Sequence, residues 1–352
     1  MKALWPAVSA GAVKALWPAV SVGAGKALRP ALLALGLFGA VTPASAGTIA
    51  VDAHAVPLAP DEPGRSRVGD LLYLGGLRLD SADSHFGGWS GMEVDSSGTR
   101  LTAIADTGWY MTATIRRIDG RIDGLDQVDL GPLTGEDGKP MPGDKLSADA
   151  EALTRLPDGG YAVSFEQRHR ILHYPAGADA SPFAATPTTI AIPAGLTKAE
   201  PNGGLEALLA LEDGRMVGFA ESLKDGAGNQ TGWLFPGAGQ GPTRELKLVA
   251  TDLYKPTDLK RLPDGDFVLL QRRFTITGGP GARLSIIPAA VLTAKGPVHD
   301  RELGQLVPPM TVDNFECLAL WRDGDGHMRA LILSDDNTSF LQRTLLLEFQ
   351  LP

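Results

Sequence analysis

The sequence predicts an all-β fold, a five-bladed β-propeller, from three observations. The first is a repeat. Five segments, GMEVDSSGTRLTAIAD, DAEALTRLPDGGYAVSFE, GLEALLALEDGRMVGFAE, PTDLKRLPDGDFVLLQRR and NFECLALWRDGDGHMRALILSDD, each join a carboxylate, a short apolar run and a glycine-bearing turn. Their acids Glu93, Glu151, Glu206, Asp258 and Glu316 stand 58, 55, 52 and 58 residues apart, a period that marks radially repeated folds. The second is patterning. Apolar and polar residues alternate over short stretches bounded by Pro157-Asp158-Gly159, Glu212-Asp213-Gly214 and Pro263-Asp264-Gly265, which is hairpin chemistry. The third is composition: 43 glycines and 26 prolines beside 6% aromatic residues suit many short strands better than long helices.

In chain order, residues 1–46 read as an export signal. They hold Lys2, Lys14, Lys26 and Arg29 without an acid, then an apolar run from Ala31 to Val41, then Ala44-Ser45-Ala46, the layout of a cleavable leader. KALWPAVSAGAV, KALWPAVSVGAG and KALRPALLALGL form a 12-residue repeat inside it. The apolar run is too short for a membrane span. With no cysteine after it and no twin arginine, general secretion to the periplasm or the outside is expected, with no stable anchor after cleavage. Residues 47–68 read as an exposed lead-in and residues 69–352 as the propeller. DLLYLGGLRL, Asp70 to Leu79, is a strand without a repeat of its own.

Behind each leading hairpin lie two further strand candidates. They are ATIRRI and DQVDLG, RILHYP and TTIAIP, GWLFP and RELKLVA, and ARLSIIP and RELGQLVP. The fifth unit offers only TLLLEFQL. Its missing strand is expected from Asp70 to Leu79, because a propeller joins its ends to remove sheet edges. Six blades is the alternative if the 70–90 region holds a blade of its own.

The net charge of −9 excludes a nucleic-acid binder, whose surface must be basic. The single cysteine, Cys317, forms no intramolecular disulfide and reads as core packing. A monomer acting on a small substrate is expected.

The innermost strand of a propeller blade lines the axis, and the next strand returns to the same face. The leading acids should therefore meet Asp106, Glu166, Glu221, Gln271 with Arg272, and Asp335 with Asp336 around one channel mouth. Rings of like charge demand protons, interleaved cations or a metal. An all-oxygen donor set favours Ca²⁺, with Mg²⁺ or Mn²⁺ as alternatives. The candidate ligands are Glu151, Glu166, Glu206, Glu221, Asp258, Asp106 and Asp335. Arg168 and Arg272 are candidates to hold an anionic ester, and His169 and His173 are expected near the mouth. Asp323-Gly324-Asp325-Gly326 reads as a hairpin turn. Gly88-Trp89-Ser90-Gly91 lacks the spacing of a nucleophile elbow, and no H-E-x-x-H occurs.

At its D-A-E-A-L, G-L-E-A-L and L-P-D-G-x-x-V elements the chain resembles the phytase-like domain family ("esterase-like activity of phytase"), exported bacterial proteins. The resemblance runs from about Leu71 to Leu351. It implies phosphoester or phosphodiester hydrolysis by repeated acids, which fall here on Glu93, Glu151, Glu206 and Glu316. Asp258 departs by one methylene, and Gln271 replaces an acid. The expected activity is metal-dependent hydrolysis, with Glu93 or Glu316 taking a proton from a bound water. A lactonase or carboxylic esterase, or a non-enzymatic binding propeller, is the alternative.

Overall fold

Each repeat folds into one antiparallel sheet whose strands follow one another outward from an axis. The computed structural model describes residues 47–141, 145–177 and 181–352; the export-signal reading of residues 1–46 lies outside them. Blade one runs Trp89–Val94, Arg100–Ala105, Trp109–Ile118 and Arg121–Pro132. Blade two is Ala150–Arg155, Tyr161–Phe165, Arg170–Tyr174 and Thr188–Ile190. Blade three is Leu205–Ala210, Met216–Lys224, Gln230–Phe235 and Arg244–Leu248. Blade four is Lys255–Arg261, Phe267–Thr275, Gly279–Ile287 and Arg301–Leu306. Blade five takes Asn314–Arg322, Met328–Asp335 and Thr344–Gln350 from the C-terminus and Leu71–Asp80 from the N-terminal side. The first strands touch in a ring, one to two, two to three, three to four, four to five and five back to one. Five blades closed by the N-terminal strand is thus the architecture.

The turns explain the regular hairpins. An aspartate in each inner turn accepts a backbone N–H two or four residues on: Asp95 from Thr99, Asp158 from Gly160, Asp213 from Arg215, Asp264 from Asp266 and Asp323 from Asp325. Gly98, Gly159, Gly214, Gly265 and Gly326 supply the left-handed residue, with φ of 68°, 86°, 80°, 99° and 88°, which a side chain would strain. Asp323-Gly324-Asp325-Gly326 is such a turn. Apolar residues then fill the spaces between blades. Leu77, Trp89, Met111 and Leu333 belong to the cluster joining blades five and one.

The lead-in differs from its expectation. Gly47–Ile49 pairs with the outer strand of blade one, and Asp52–Ala55 pairs with the closing strand Leu71–Asp80 of blade five. Leu58 is fully buried. The segment thus covers two blade edges instead of standing free, because an unpaired edge strand leaves its backbone groups unsatisfied. No helix among the described residues is long and apolar enough to cross a membrane.

Candidate active site at the channel mouth

A bulge decides which side chains reach the axis. In every blade the pairing between first and second strands slips at one place. Trp89 pairs with Ala105 and Gly91 with Ile104, which leaves Ser90 unpaired. The same slip leaves out Glu151, Glu206, Thr257 and Glu316. A bulge re-aims the extra residue out of the ladder. Two residues beyond each bulge stand Met92, Leu153, Leu208, Leu259 and Leu318, all fully buried, which fix the five positions as equivalent. The inner ring is therefore Ser90, Glu151, Glu206, Thr257 and Glu316.

The second ring follows from the same register. The residue just past the last pair before the bulge is Asp106, Glu166, Glu221, Arg272 and Asp335 in turn. Four blades place an acid there and blade four places an arginine.

Several expectations change. Glu93 and Asp258 lead their segments in sequence but lie deeper, past the bulge. There Lys260 Nζ meets Glu93 Oε1 at 3.0 Å and Asp258 Oδ1 at 3.1 Å. Asp258 also accepts the Leu318 N–H at 2.7 Å, and burial lifts its proton affinity to about 7. This trio clamps blades one, four and five below the mouth. Gln271 is no ring residue; its side chain accepts from the buried Arg283 within blade four. Arg168 is exposed and forms no ion pair with ring carboxylates among the described residues. His173 pairs with Asp158 at 2.8 Å, at the hairpin-turn end, whereas His169 packs beside the mouth with Nε2 3.1 Å from the Glu200 carbonyl.

The Lys260 clamp is testable. Lys260→Met should destabilise the fold by about 3–5 kcal/mol, because it strands a buried carboxylate. Thermal melting reads the loss, while turnover per folded molecule should be unchanged.

At the mouth the charges divide into two sectors. Arg272 Nε lies 2.9 Å from Glu316 Oε1 and its Nη2 3.2 Å from Glu221 Oε1, while Lys255 Nζ reaches Glu221 Oε2 at 2.9 Å. Burial alone would lower the proton affinity of Arg272, but Glu316, Glu206 and Glu221 outweigh it and raise it. Asp106 pairs with Lys145 at 2.6 Å. Asp335 accepts from Asn337 N–H at 2.6 Å and Asn314 Nδ2 at 3.3 Å; even so, burial and Glu316 push it up to about 8.

The other sector holds carboxyls that form no ion pair among the described residues, with Lys145 near enough to offset part of the burial that raises Asp149. One oxygen each of Asp149, Glu151 and Glu166 lies within 4.8 Å of the others, and all three residues are buried. Among the described residues none of the three has an ion-pair partner, and Asp149 Oδ1 is buried without a hydrogen-bond donor. Asp149 Oδ2 accepts from Gln167 at 3.1 Å, and Glu166 accepts the Gly204 N–H. Glycine is needed there: a Cβ at Gly204 would stand 2.7 Å from His169 Nδ1. Desolvation first, then neighbouring acids, raises Glu151 and Glu206 well above the carboxylate range and Glu166 to about 8. Such a site suits a divalent cation: all-oxygen, buried, short of positive charge and carrying an idle lone pair.

Asp149, Thr257, Lys145 and Asn314 are mouth residues absent from the sequence-derived candidates. Asp149 had a signal, two residues before Glu151 in D-A-E. A second acidic group, Asp323, Asp325 and His327, lies at the blade-five turn; Asp323 is already engaged by the N–H groups of Asp325 and His327 and by Arg329.

Fold and site together define a five-bladed propeller with a carboxylate-rich channel mouth. By sequence the chain belongs to the phytase-like family described as esterase-like activity of phytase, which matches residues 84–338. No curated protein matches the chain. Solved structures with a similar course include a protein assigned as a gluconolactonase, 12% identical, with a TM-score of 0.41, covering 87% of this chain and 96% of that one. Another is a gluconolactonase of Xanthomonas campestris, 13% identical, with a TM-score of 0.39, covering 89% and 99%. A third is the WD40 domain of Toxoplasma gondii coronin, 10% identical, with a TM-score of 0.39, covering 88% and 89%. These likenesses are too low to transfer an activity.

Proposed function

We propose that the protein hydrolyses anionic esters, phosphomonoesters or phosphodiesters, at the channel mouth. The observation that carries this is the pairing of two unlike sectors: Arg272 set in a ring of acids, beside the trio Asp149, Glu151 and Glu166, which has no ion-pair partner among the described residues. Asp149, Glu151 and Glu166 would hold a divalent cation, Ca²⁺ in this reading with Mg²⁺ or Mn²⁺ as alternatives. Bound there, it would supply positive charge to the ester oxygens and acidity to a water.

The residues of the chain supply the rest. The Arg272 fork suits an anionic group bidentately, with Lys255 adding charge beside it. Glu206 and Glu316 share the mouth but differ in surroundings, which is how paired carboxyls divide acid and base roles. Glu206, held protonated by burial and by Glu221, gives its proton to the departing oxygen. Glu316 is lifted by burial and held back by Arg272, so it takes the proton of the attacking water. In this reading the chain works as an exported monomer in the periplasm or outside.

One observation favours a second reading. Arg272 is already flanked by two carboxylates, so a neutral ester or lactone would not have to displace them. A substrate panel of phosphomonoester, phosphodiester and lactone, with and without chelator, separates the readings. Glu151→Gln combined with Glu206→Gln should lower turnover at least 10²-fold. Unchanged hydrolysis in that variant would overturn the assignment, and turnover of lactone alone would favour the second reading.

A further inference from the structure

Large apolar side chains that stand exposed gather on the mouth face. Leu146, Leu253, Ile276, Phe340 and Leu341 lie on connections at that end and Phe274 at the end of its strand there, while Ile118 lies at the other. Between blades four and five this face opens a cleft of about 930 Å³. Its inner end reaches Arg272 and Asn314, and its outer walls carry Phe274, Met310, Val312 and Leu341. Phe274 and Leu341 are 71% and 77% exposed. Like Arg272, the other guanidinium groups of the cleft are engaged: Arg343 pairs with Asp313 at 3.3 Å, and Arg273 sits 5.3 Å from the Tyr254 ring centroid. The cleft is therefore two-ended, with charge where it meets the mouth and apolar surface further out.

We propose that this cleft seats the apolar part of the substrate, an alkyl or aryl group of an anionic ester whose head lies at Arg272. The proposal rests on the reading of the mouth as an ester-hydrolase site. Continuity supports it, since Arg272 and Asn314 belong both to the cleft and to the mouth. A substrate without an apolar group would leave Phe274, Met310 and Leu341 in water, whereas a chain laid across them removes that surface from it.

The test is binding of n-alkyl phosphonates from methyl to octyl to the full-length protein with Ca²⁺, followed by calorimetry below the micellar concentration. A fully buried methylene multiplies affinity about fourfold, so octyl should bind at least tenfold tighter than methyl in an open cleft. Phe274→Ser with Leu341→Ser should abolish that chain-length gain and leave methyl binding unchanged. Phe340→Ser, at a residue 95% exposed and outside the cleft, should keep the gain. Equal affinity along the series, or a gain that survives the double change, overturns the proposal. Binding confined to micelles overturns it in favour of docking on a lipid surface. Ester turnover assayed on the same samples keeps the two readings apart: a chain-length gain without turnover upholds the cleft and removes the hydrolase.

Discussion

Arg272→Ala should lower kcat for anionic esters by 10²-fold or more, the usual cost of removing one preorganised charge from a developing anion. Arg272 stands where four blades place an acid, and it pairs with both Glu221 and Glu316. Its removal takes away the charge that lowers the proton affinity of Glu316 and Glu206. The alkaline shift that follows in the pH profile separates this role from mere packing. Arg272→Lys keeps the charge but loses the planar fork, so it should restore the pH profile and only part of kcat. Steady-state kinetics across pH check both variants. The ion pairs also support the mouth, so Arg272→Ala should melt earlier, by roughly 3 kcal/mol of lost stability for a broken buried pair.

Without divalent cations, stability should fall as pH rises from about 5 to about 8. Glu166 and Asp335 hold protons up to about pH 8 in the folded chain, whereas unfolded carboxyls release theirs near pH 4. Between those limits the folded state binds more protons than the unfolded one, so the slope of stability with pH is negative. The melting temperature should drop by roughly 5–10 °C across the window, taking about 2–4 °C per kcal/mol. Adding Ca²⁺ at pH 8 should recover the loss, and at pH 5 protons should compete it away. Scanning calorimetry with chelator and with Ca²⁺ reads both effects. A chain that becomes more stable toward pH 8 without metal would show that the mouth carboxyls are ordinary surface acids.

The blades were legible because their signals are local. Each Asp-Gly turn and each alternating run reports on itself, and five of them set the count. The closing strand was legible for a different reason: the last unit lacks one strand, and the stretch from Asp70 to Leu79 has no repeat of its own. Edge strands Gly47–Ile49 and Asp52–Ala55 were not, because short polar segments gain their structure from the blades they cover.

The site was legible in kind but not in register. Aligning the repeats on their acids selected Glu93 and Asp258, yet the bulge positions there are Ser90 and Thr257. A bulge adds one residue without any compositional mark, so the acid nearest the expected place was mistaken for the equivalent one. Aligning on the buried Met92, Leu153, Leu208, Leu259 and Leu318 gives the true register. In the second ring the sequence offers Gln271 together with Arg272, and the register selects Arg272. Asp149 lay one position before its strand, where only the folded connection shows that it turns inward to Glu151 and Glu166.

The central claim is that Asp149, Glu151 and Glu166 form a proton-holding cradle for a divalent cation. Calorimetric titration of the metal-free protein with Ca²⁺ at pH 7, in two buffers of different ionisation enthalpy, tests it most directly. Saturable binding that releases about one proton or more per ion, and that is lost in Glu151→Gln with Glu166→Gln, is the predicted result. Absence of binding, or binding without proton release that survives those substitutions, would contradict it.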